Sequence, residues 1–281
     1  MGIKNNGEFG GHEFKKSLGQ NFIKDKNLLV AIANDANITA DDFVVEVGAG
    51  AGTLTKVLCD NAKFVLSYEI DTSLKSILSE LESENKNLKI EYADALKTSN
   101  EEILQTLESN AGEKVDKYKL VANIPYYITT PLLFKFLKDE KVSSLTVMVQ
   151  KEVAERIASS ETSGDYGAIS VIVHYLADVE IKRIVNKQMF YPVPKVDSAI
   201  LQLTKKDSVN LKEYEMLEKV VKSAFSNRRK VMVSNLSKDF HISKETLVGA
   251  LTELNINPLA RAENLSVNDF IKLTNKIIKI V

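Results

Sequence analysis

From about residue 43 to residue 150 the chain alternates between short apolar, β-branched runs and stretches whose apolar residues recur at helical spacing. FVVEV (43–47) leads into TLTKVLCDNA, FVLSYEI (64–70) into SLKSILSELES, and LKIEY (88–92) through a loop into EEILQTLES. KYKLVAN (117–123) and LTVMVQ (145–150) follow, with a helix between them over 131–138, where Thr130 is the expected N-cap and Pro131 the first helical residue. Apolar strands alternating with amphipathic helices predict a parallel α/β sheet covered on both faces.

After Ala177 come two strand-like runs with no helix between them, VEIKRIV and AILQL, joined by a loop with two prolines, FYPVPKVDS. They predict an antiparallel hairpin at the sheet edge. Beyond residue 205 the pattern is helical throughout, over 211–225, 228–237, 243–254 and 266–278, with Ser266 as a cap. The expected organisation is a doubly wound α/β domain over 1–204, with an N-terminal arm over 1–25, and a small all-helical domain over 205–281.

Composition narrows the class of protein. Hydrophobic residues are 44% of the 281 and charged residues 27%, an ordinary balance for a globular chain with a sizeable core. No apolar run approaches the roughly 18 residues of a membrane span, and the N-terminal stretch is polar and Gly-rich, without a signal segment. The lone cysteine, Cys59, falls among Leu54, Val57 and Leu58 and is read as a core residue. These features predict a cytoplasmic, reduced, metal-free protein. Net charge is −1, but from Ile200 onward there are 14 basic residues against 9 acidic, while the preceding part carries 23 against 29. That asymmetry predicts a basic surface on the C-terminal part.

The chemistry begins at VVEVGAGAGTLT, which sets Gly48, Gly50 and Gly52 in the turn after the first strand. A dinucleotide fingerprint wants Gly or Ala three residues after the second glycine, and here that position holds Thr53. G-x-G-x-G with Glu46 two residues ahead allows close backbone approach of S-adenosylmethionine as well as of a dinucleotide, although S-adenosylmethionine carries an ammonium and a carboxylate where a dinucleotide has a pyrophosphate. Glu69, at the end of the second strand, is placed to accept from ribose hydroxyls, a role shared by both cofactor classes. Asp94, after the third, is placed to accept from an adenine amino group. Three such positions in register after strands one, two and three describe a methyltransferase cofactor site at the carboxyl edge of the sheet.

On that same edge the fourth strand ends in VANIPYYITTPLL. An exocyclic aromatic amine such as N6 of adenine is a poor nucleophile, because its lone pair is delocalised into the ring. An enzyme that methylates it must accept both N–H bonds so that the lone pair turns towards the methyl donor. The Asn123 side-chain oxygen and the Ile124 carbonyl are suitable acceptors, Pro125 fixes the turn, and Tyr126 offers a face for an unstacked base. No ionised general base is required, which fits three scattered histidines, His12, His174 and His241.

With these residues in hand the chain resembles the ribosomal RNA adenine N6-dimethyltransferases of the small-subunit branch. The similar segments are KKSLGQNFIKD (15–25), EVGAGAGTLT, YEID, ADAL, NIPYYITTPLL, MVQKEVAERI, YGAISV, FYPVPKVDSAI and AFSNRRKVMVSNL, covering roughly residues 14–265. The resemblance implies a Rossmann-like class I S-adenosylmethionine-dependent methyltransferase domain followed by a helical RNA-binding domain. It implies that Asn21 and Ile23 join Gly48, Gly50, Glu69, Asp94 and Asn123 around the cofactor, and that Asn123, Pro125 and Tyr126 carry catalysis. It further implies that Phe190, heading FYPVP, is a second aromatic plate for the flipped adenine.

The implied reaction is dimethylation of N6 on two adjacent adenosines in the 3′-terminal hairpin loop of 16S rRNA, by a monomer, with a role in small-subunit biogenesis. RNA contacts are expected at Arg228, Arg229 and Lys230, the densest basic cluster, and at Lys15 and Lys16. A near-neutral net charge suggests a substrate already assembled and partly covered by protein. The alternatives are the sibling branch that methylates 23S large-subunit rRNA and confers macrolide resistance, a nicotinamide-dependent oxidoreductase using the Gly turn, and a non-catalytic assembly factor.

Overall fold

The computed structural model describes residues 21–161, 163–207, 209–227 and 230–281, together with the backbone of three two-residue strands at Ile3–Lys4, Glu8–Phe9 and His12–Glu13. Those three short strands pair antiparallel with one another. Lys15, Lys16, Arg228 and Arg229 lie outside the described residues.

The main sheet has seven strands: β1 Phe43–Val47, β2 Phe64–Tyr68, β3 Leu88–Glu91, β4 Tyr118–Asn123, β5 Val142–Gln150, β6 Ala177–Val185 and β7 Ser198–Lys205. Their order is β6-β7-β5-β4-β1-β2-β3. From β5 to β3 every pair is parallel, and β7 runs antiparallel to β5. Chain order reverses between β1 and β4, so the crevice beyond their carboxyl ends is the topological switch point where ligands bind in such sheets.

Seven helices are interspersed with these strands along the chain: α1 Lys26–Asp35, α2 Thr53–Asn61, α3 Lys75–Glu84, α4 Asn100–Ala111, α5 Thr129–Leu137, α6 Lys151–Ala158 and α7 Ala168–Leu176. Val44, Val65, Val121, Met148 and Ile200 form one continuous core with apolar residues of α1, α2 and α3. Alternate strand residues such as Val45, Leu66, Leu120 and Val147 are equally buried and face the other way. On that second side α4 packs on β2 and α5 on β5. Burial on both faces is why the strands read as unbroken apolar runs.

Four helices follow: α8 Leu211–Phe225, α9 Met232–Phe240, α10 Lys244–Glu253 and α11 Val267–Ile278. They carry their own aromatic core, in which Phe225 stacks on Phe270 at 5.8 Å between ring centroids and Tyr166 meets Phe225 edge-on at 6.3 Å. The Tyr166 hydroxyl donates to the Leu265 carbonyl at 3.0 Å.

Four local features differ from expectation. The chain forms two compact units, 1–154 with 180–205, and 155–179 with 206–281. A single division at 204/205 therefore leaves 155–179 on the other side, because α7 packs against α8 and α11. The sequence pattern gave no element for 151–176; AISVIVHYL is apolar on all sides and β-branched, so neither period stands out. Helix α5 begins at Thr129 and not after Thr130, since a 3₁₀ turn over Tyr126–Ile128 leads directly into it. Ile128 donates to the Pro125 carbonyl at 3.1 Å to close that turn. Pro131 is then the third helical residue, still within the turn whose N–H groups have no intrahelical acceptor. Helix α9 starts at Met232, two residues beyond Lys230, where the pattern suggested 228.

Candidate active site

The turn after β1 is built on left-handed glycines. Gly48 has φ +85° and Gly50 φ +56°, a region that costs a side-chain-bearing residue about 1–2 kcal/mol. A Cβ on Gly50 would also lie 3.0 Å from the Phe22 ring. Gly48 and Ala49 donate through their N–H groups to the Tyr68 carbonyl at 2.8 and 3.2 Å, which folds the turn over the end of β2.

Glu69 follows immediately after β2. Its two carboxylate oxygens accept from the Gly50 N–H and the Asp71 N–H, each at 2.7 Å. Burial raises its pKa, and these backbone hydrogen bonds oppose that. Backbone donors, the Ile70 N–H among them, thus hold the carboxylate still, and an acceptor position remains for a ligand. Asp94 is fixed in the same way, accepting from the Leu96 N–H at 3.0 Å, with Lys97 3.7 Å from its other oxygen.

Behind the turn, Glu46 is fully buried. Thr55 Oγ1 and Ser67 Oγ both donate to its Oε2, at 2.6 and 2.5 Å. Its Oε1 has no hydrogen-bond partner among the described residues. Burial pushes the carboxyl up to about 7 against the pull of the two hydroxyls, and the nearby Glu69 charge pushes the same way. Cys59, in α2, is buried as expected, and burial pushes its thiol up to about 12.

A cavity of about 220 Å³ opens in front of the glycine turn. Asn21, Ile23, Gly48, Gly50, Glu69, Asp94, Asn123 and Pro125 all line it, so eight of the residues singled out from sequence come together at one place. Its apolar wall includes Ile70, Ala95, Leu96 and Ile124. An adenosine-based sulfonium fits this donor set: a fixed carboxylate for a ribose, a second one for an adenine amine, apolar contacts for the base, and glycines that let backbone approach closely.

Asn123 ends β4, and its Nδ2 donates to the Asn21 carbonyl at 3.4 Å. Pro125 has φ −56° and ψ +136°, and the 3₁₀ turn over Tyr126–Ile128 follows it. The two tyrosines diverge from there. Tyr126 is half-buried, does not line the cavity, and shares a 2.8 Å hydrogen bond with Ser198 Oγ. Tyr127 is 70% exposed and does line it.

Phe190 stands apart from the expectation of an aromatic plate. Its side chain is 1% exposed, belongs to the core with Ile23 and Ile200, and does not line the cavity. The reason is local pairing: a short strand at Phe190–Tyr191 runs antiparallel to Phe22–Ile23, with Phe190 opposite Ile23. The Lys24 N–H donates to the Met189 carbonyl at 2.9 Å and continues that pairing. Lys230 is exposed in the bend before α9. Tyr127 and Ser198 had no site role on sequence alone; both sit inside the segments NIPYYITTPLL and FYPVPKVDSAI, but nothing in a linear reading pairs Ser198 with a tyrosine 72 residues away.

Among the described residues no helix is long and apolar enough to cross a membrane. The sequence matches the family described as ribosomal RNA adenine dimethylase across residues 11–279. It is 40% identical over 267 residues to the ribosomal RNA small subunit methyltransferase A of Clostridium acetobutylicum, covering 94% of each protein. Among solved structures it is similar to a dimethyladenosine transferase from Plasmodium falciparum, with a TM-score of 0.79 and 27% identity over 92% of this chain and 98% of that one. It is also similar to the 23S rRNA methyltransferase ErmE, with a TM-score of 0.70 and 26% identity over 92% and 99%.

Proposed function

The chain belongs to the ribosomal RNA adenine dimethylase family, and on that premise we propose that it uses S-adenosylmethionine to dimethylate N6 of two adjacent adenosines in the 3′-terminal hairpin loop of 16S rRNA. The substrate is the RNA of an assembling small subunit in the cytoplasm, and the protein acts as a monomer. Bound S-adenosylmethionine supplies an electrophilic methyl on a sulfonium and leaves as a neutral thioether.

The observation that carries this reading is Asn123, whose amide nitrogen is tied back to Asn21 on the same rim as Glu69 and Asp94. With Nδ2 engaged, Oδ1 is the end of the amide left to accept from a target amine. The Ile124 carbonyl takes the second N–H, and the nitrogen lone pair is thereby turned out of conjugation. Pro125 holds the turn in one conformation. Tyr126 supports the unstacked base, which offsets part of the few kcal/mol spent on flipping it. Glu69 holds the ribose of the methyl donor and Asp94 its adenine, with Asn21, Ile23, Gly48 and Gly50 closing around it. Arg228, Arg229, Lys230, Lys15 and Lys16 bind phosphates.

The small-subunit branch is supported by the likeness to the clostridial relative and by the segment AFSNRRKVMVSNL. The large-subunit branch shares the Asn-Ile-Pro-Tyr turn, so the turn does not separate the two. The separating experiment presents labelled methyl donor to purified small and large subunits side by side. Label in small-subunit RNA supports the proposal, and label confined to large-subunit RNA moves the function to the other branch.

A further inference from the structure

We propose that Ser198 is a positioning residue that holds the ring of Tyr126 in the plane needed to receive the target base, an assignment that rests on the function proposed above. The two hydroxyl oxygens are 2.8 Å apart.

Their surroundings differ in a way that gives the contact a direction. Ser198 is 0% exposed and opens β7, where it pairs with Gln150 at the end of β5. The backbone just before it is held twice. The Asp197 carbonyl accepts from the Lys151 N–H at 3.0 Å, and the Asp197 carboxylate accepts from the Lys187 N–H at 3.0 Å. Ser198 Oγ is therefore carried on a fixed strand end. Tyr126 sits on a single 3₁₀ turn between Pro125 and α5, half out of the protein. Its ring hangs on two torsions, the second of them broad.

Anchoring the phenol oxygen fixes the far end of the ring and so sets the first torsion. A phenol hydrogen bond lies near the ring plane, which biases the second. Burial raises the Tyr126 pKa and the Ser198 hydroxyl opposes that, so the tip is both sheltered and paired. The side chain stays partly exposed while its tip is held by Ser198. Stacking energy is insensitive to which base arrives, but methyl transfer needs the amine at Asn123, and the tilt of the plate decides where the amine lands.

The test compares Ser198→Ala, Tyr126→Phe and the double variant. Four readouts are taken for each: the affinity for S-adenosylhomocysteine, the melting temperature, and kcat and KM with small-subunit RNA. The expected result is a kcat loss of about three- to tenfold in each single variant, the span of one neutral hydrogen bond. RNA KM and S-adenosylhomocysteine affinity stay close to wild type, the melting temperature falls by no more than about 2–6 °C, and the double variant is no worse in kcat than the poorer single one. Losses that multiply in the double variant, an unchanged kcat in Ser198→Ala, or a matching fall in cofactor-product affinity would each overturn the assignment.

A second measurement needs no RNA. With 3-fluorotyrosine placed at position 126, the fluorine resonance is expected to move and broaden in Ser198→Ala as the ring is released, whereas an unchanged spectrum overturns the proposal. If wild-type protein leaves small-subunit RNA unmethylated, the proposed function falls, and the fluorine spectra still decide the role of Ser198.

Discussion

The side-chain amide of Asn123 donates to the main-chain carbonyl of Asn21 across 3.4 Å, joining the end of β4 to a segment 102 residues earlier in the chain. One end of the amide is thus spent on structure, and the other is left for chemistry. Asn123→Ala is expected to lower kcat by at least about 100-fold, the usual cost of removing one preorganised partner of a transition state. The affinity for S-adenosylhomocysteine should stay within about threefold, because Glu69, Asp94 and the glycine turn are untouched. Single-turnover kinetics and calorimetry check both halves, and turnover within fivefold of wild type would remove Asn123 from the mechanism.

Phe190 makes the opposite kind of prediction. Its side chain is buried between the Phe22–Ile23 segment and β7, so truncating it leaves a cavity. Phe190→Ala is expected to reduce unfolding free energy by about 3–5 kcal/mol, read from denaturant midpoints. A variant that unfolds at the wild-type midpoint would contradict the core placement and return the ring to the role of an aromatic plate.

Glu46 sets a pH dependence whose sign is fixed by its shift. An ordinary carboxyl near 4.5 is pushed up to about 7 in the folded protein, so the folded state binds the extra proton between those values. Its contribution to stability is fully present below about pH 4.5 and is lost as pH rises through 7, amounting to a few kcal/mol at about 1.4 kcal/mol per unit. Glu46→Gln removes that proton linkage. The stability difference between the variant and wild type should therefore shift in favour of the variant from pH 5 to pH 8, measured by urea unfolding at both. A difference that is flat with pH would mean the carboxyl ionises normally.

The basic cluster before α9 is expected to act through phosphates. Replacing Arg228, Arg229 and Lys230 together with alanine should weaken RNA binding regardless of sequence. The slope of log affinity against log salt should fall by about two to three, one unit or slightly less per lost contact. Filter binding across a salt series gives the slope, and an unchanged slope would put the RNA surface elsewhere.

The sheet was legible because its strands are buried on both sides: FVVEV is observed as β1 over Phe43–Val47 with every residue buried. Glu69 and Asp94 were legible because a strand's end is a position in sequence as well as in space. What a linear reading could not supply is contact between distant segments. Asn21 to Asn123 and Tyr126 to Ser198 are each joined only by folding, across 102 and 72 residues. The burial of Phe190 was concealed for the same reason, since the prolines that follow it suggest an open loop and give no hint of its pairing with Ile23. Helix α7 was hidden by its burial, since an apolar run without a polar face carries no period.

The proposed reaction is methylation of the exocyclic amine of adenosine in small-subunit RNA. Its most direct test is mass spectrometry of nuclease digests from small subunits incubated with the protein and S-adenosylmethionine. N6,N6-dimethyladenosine is expected at two adjacent positions near the 3′ end, absent when Asn123→Ala replaces the wild-type protein. Methyl groups on ribose or on a ring nitrogen, or dimethyladenosine found only in large-subunit RNA treated in parallel, would contradict it.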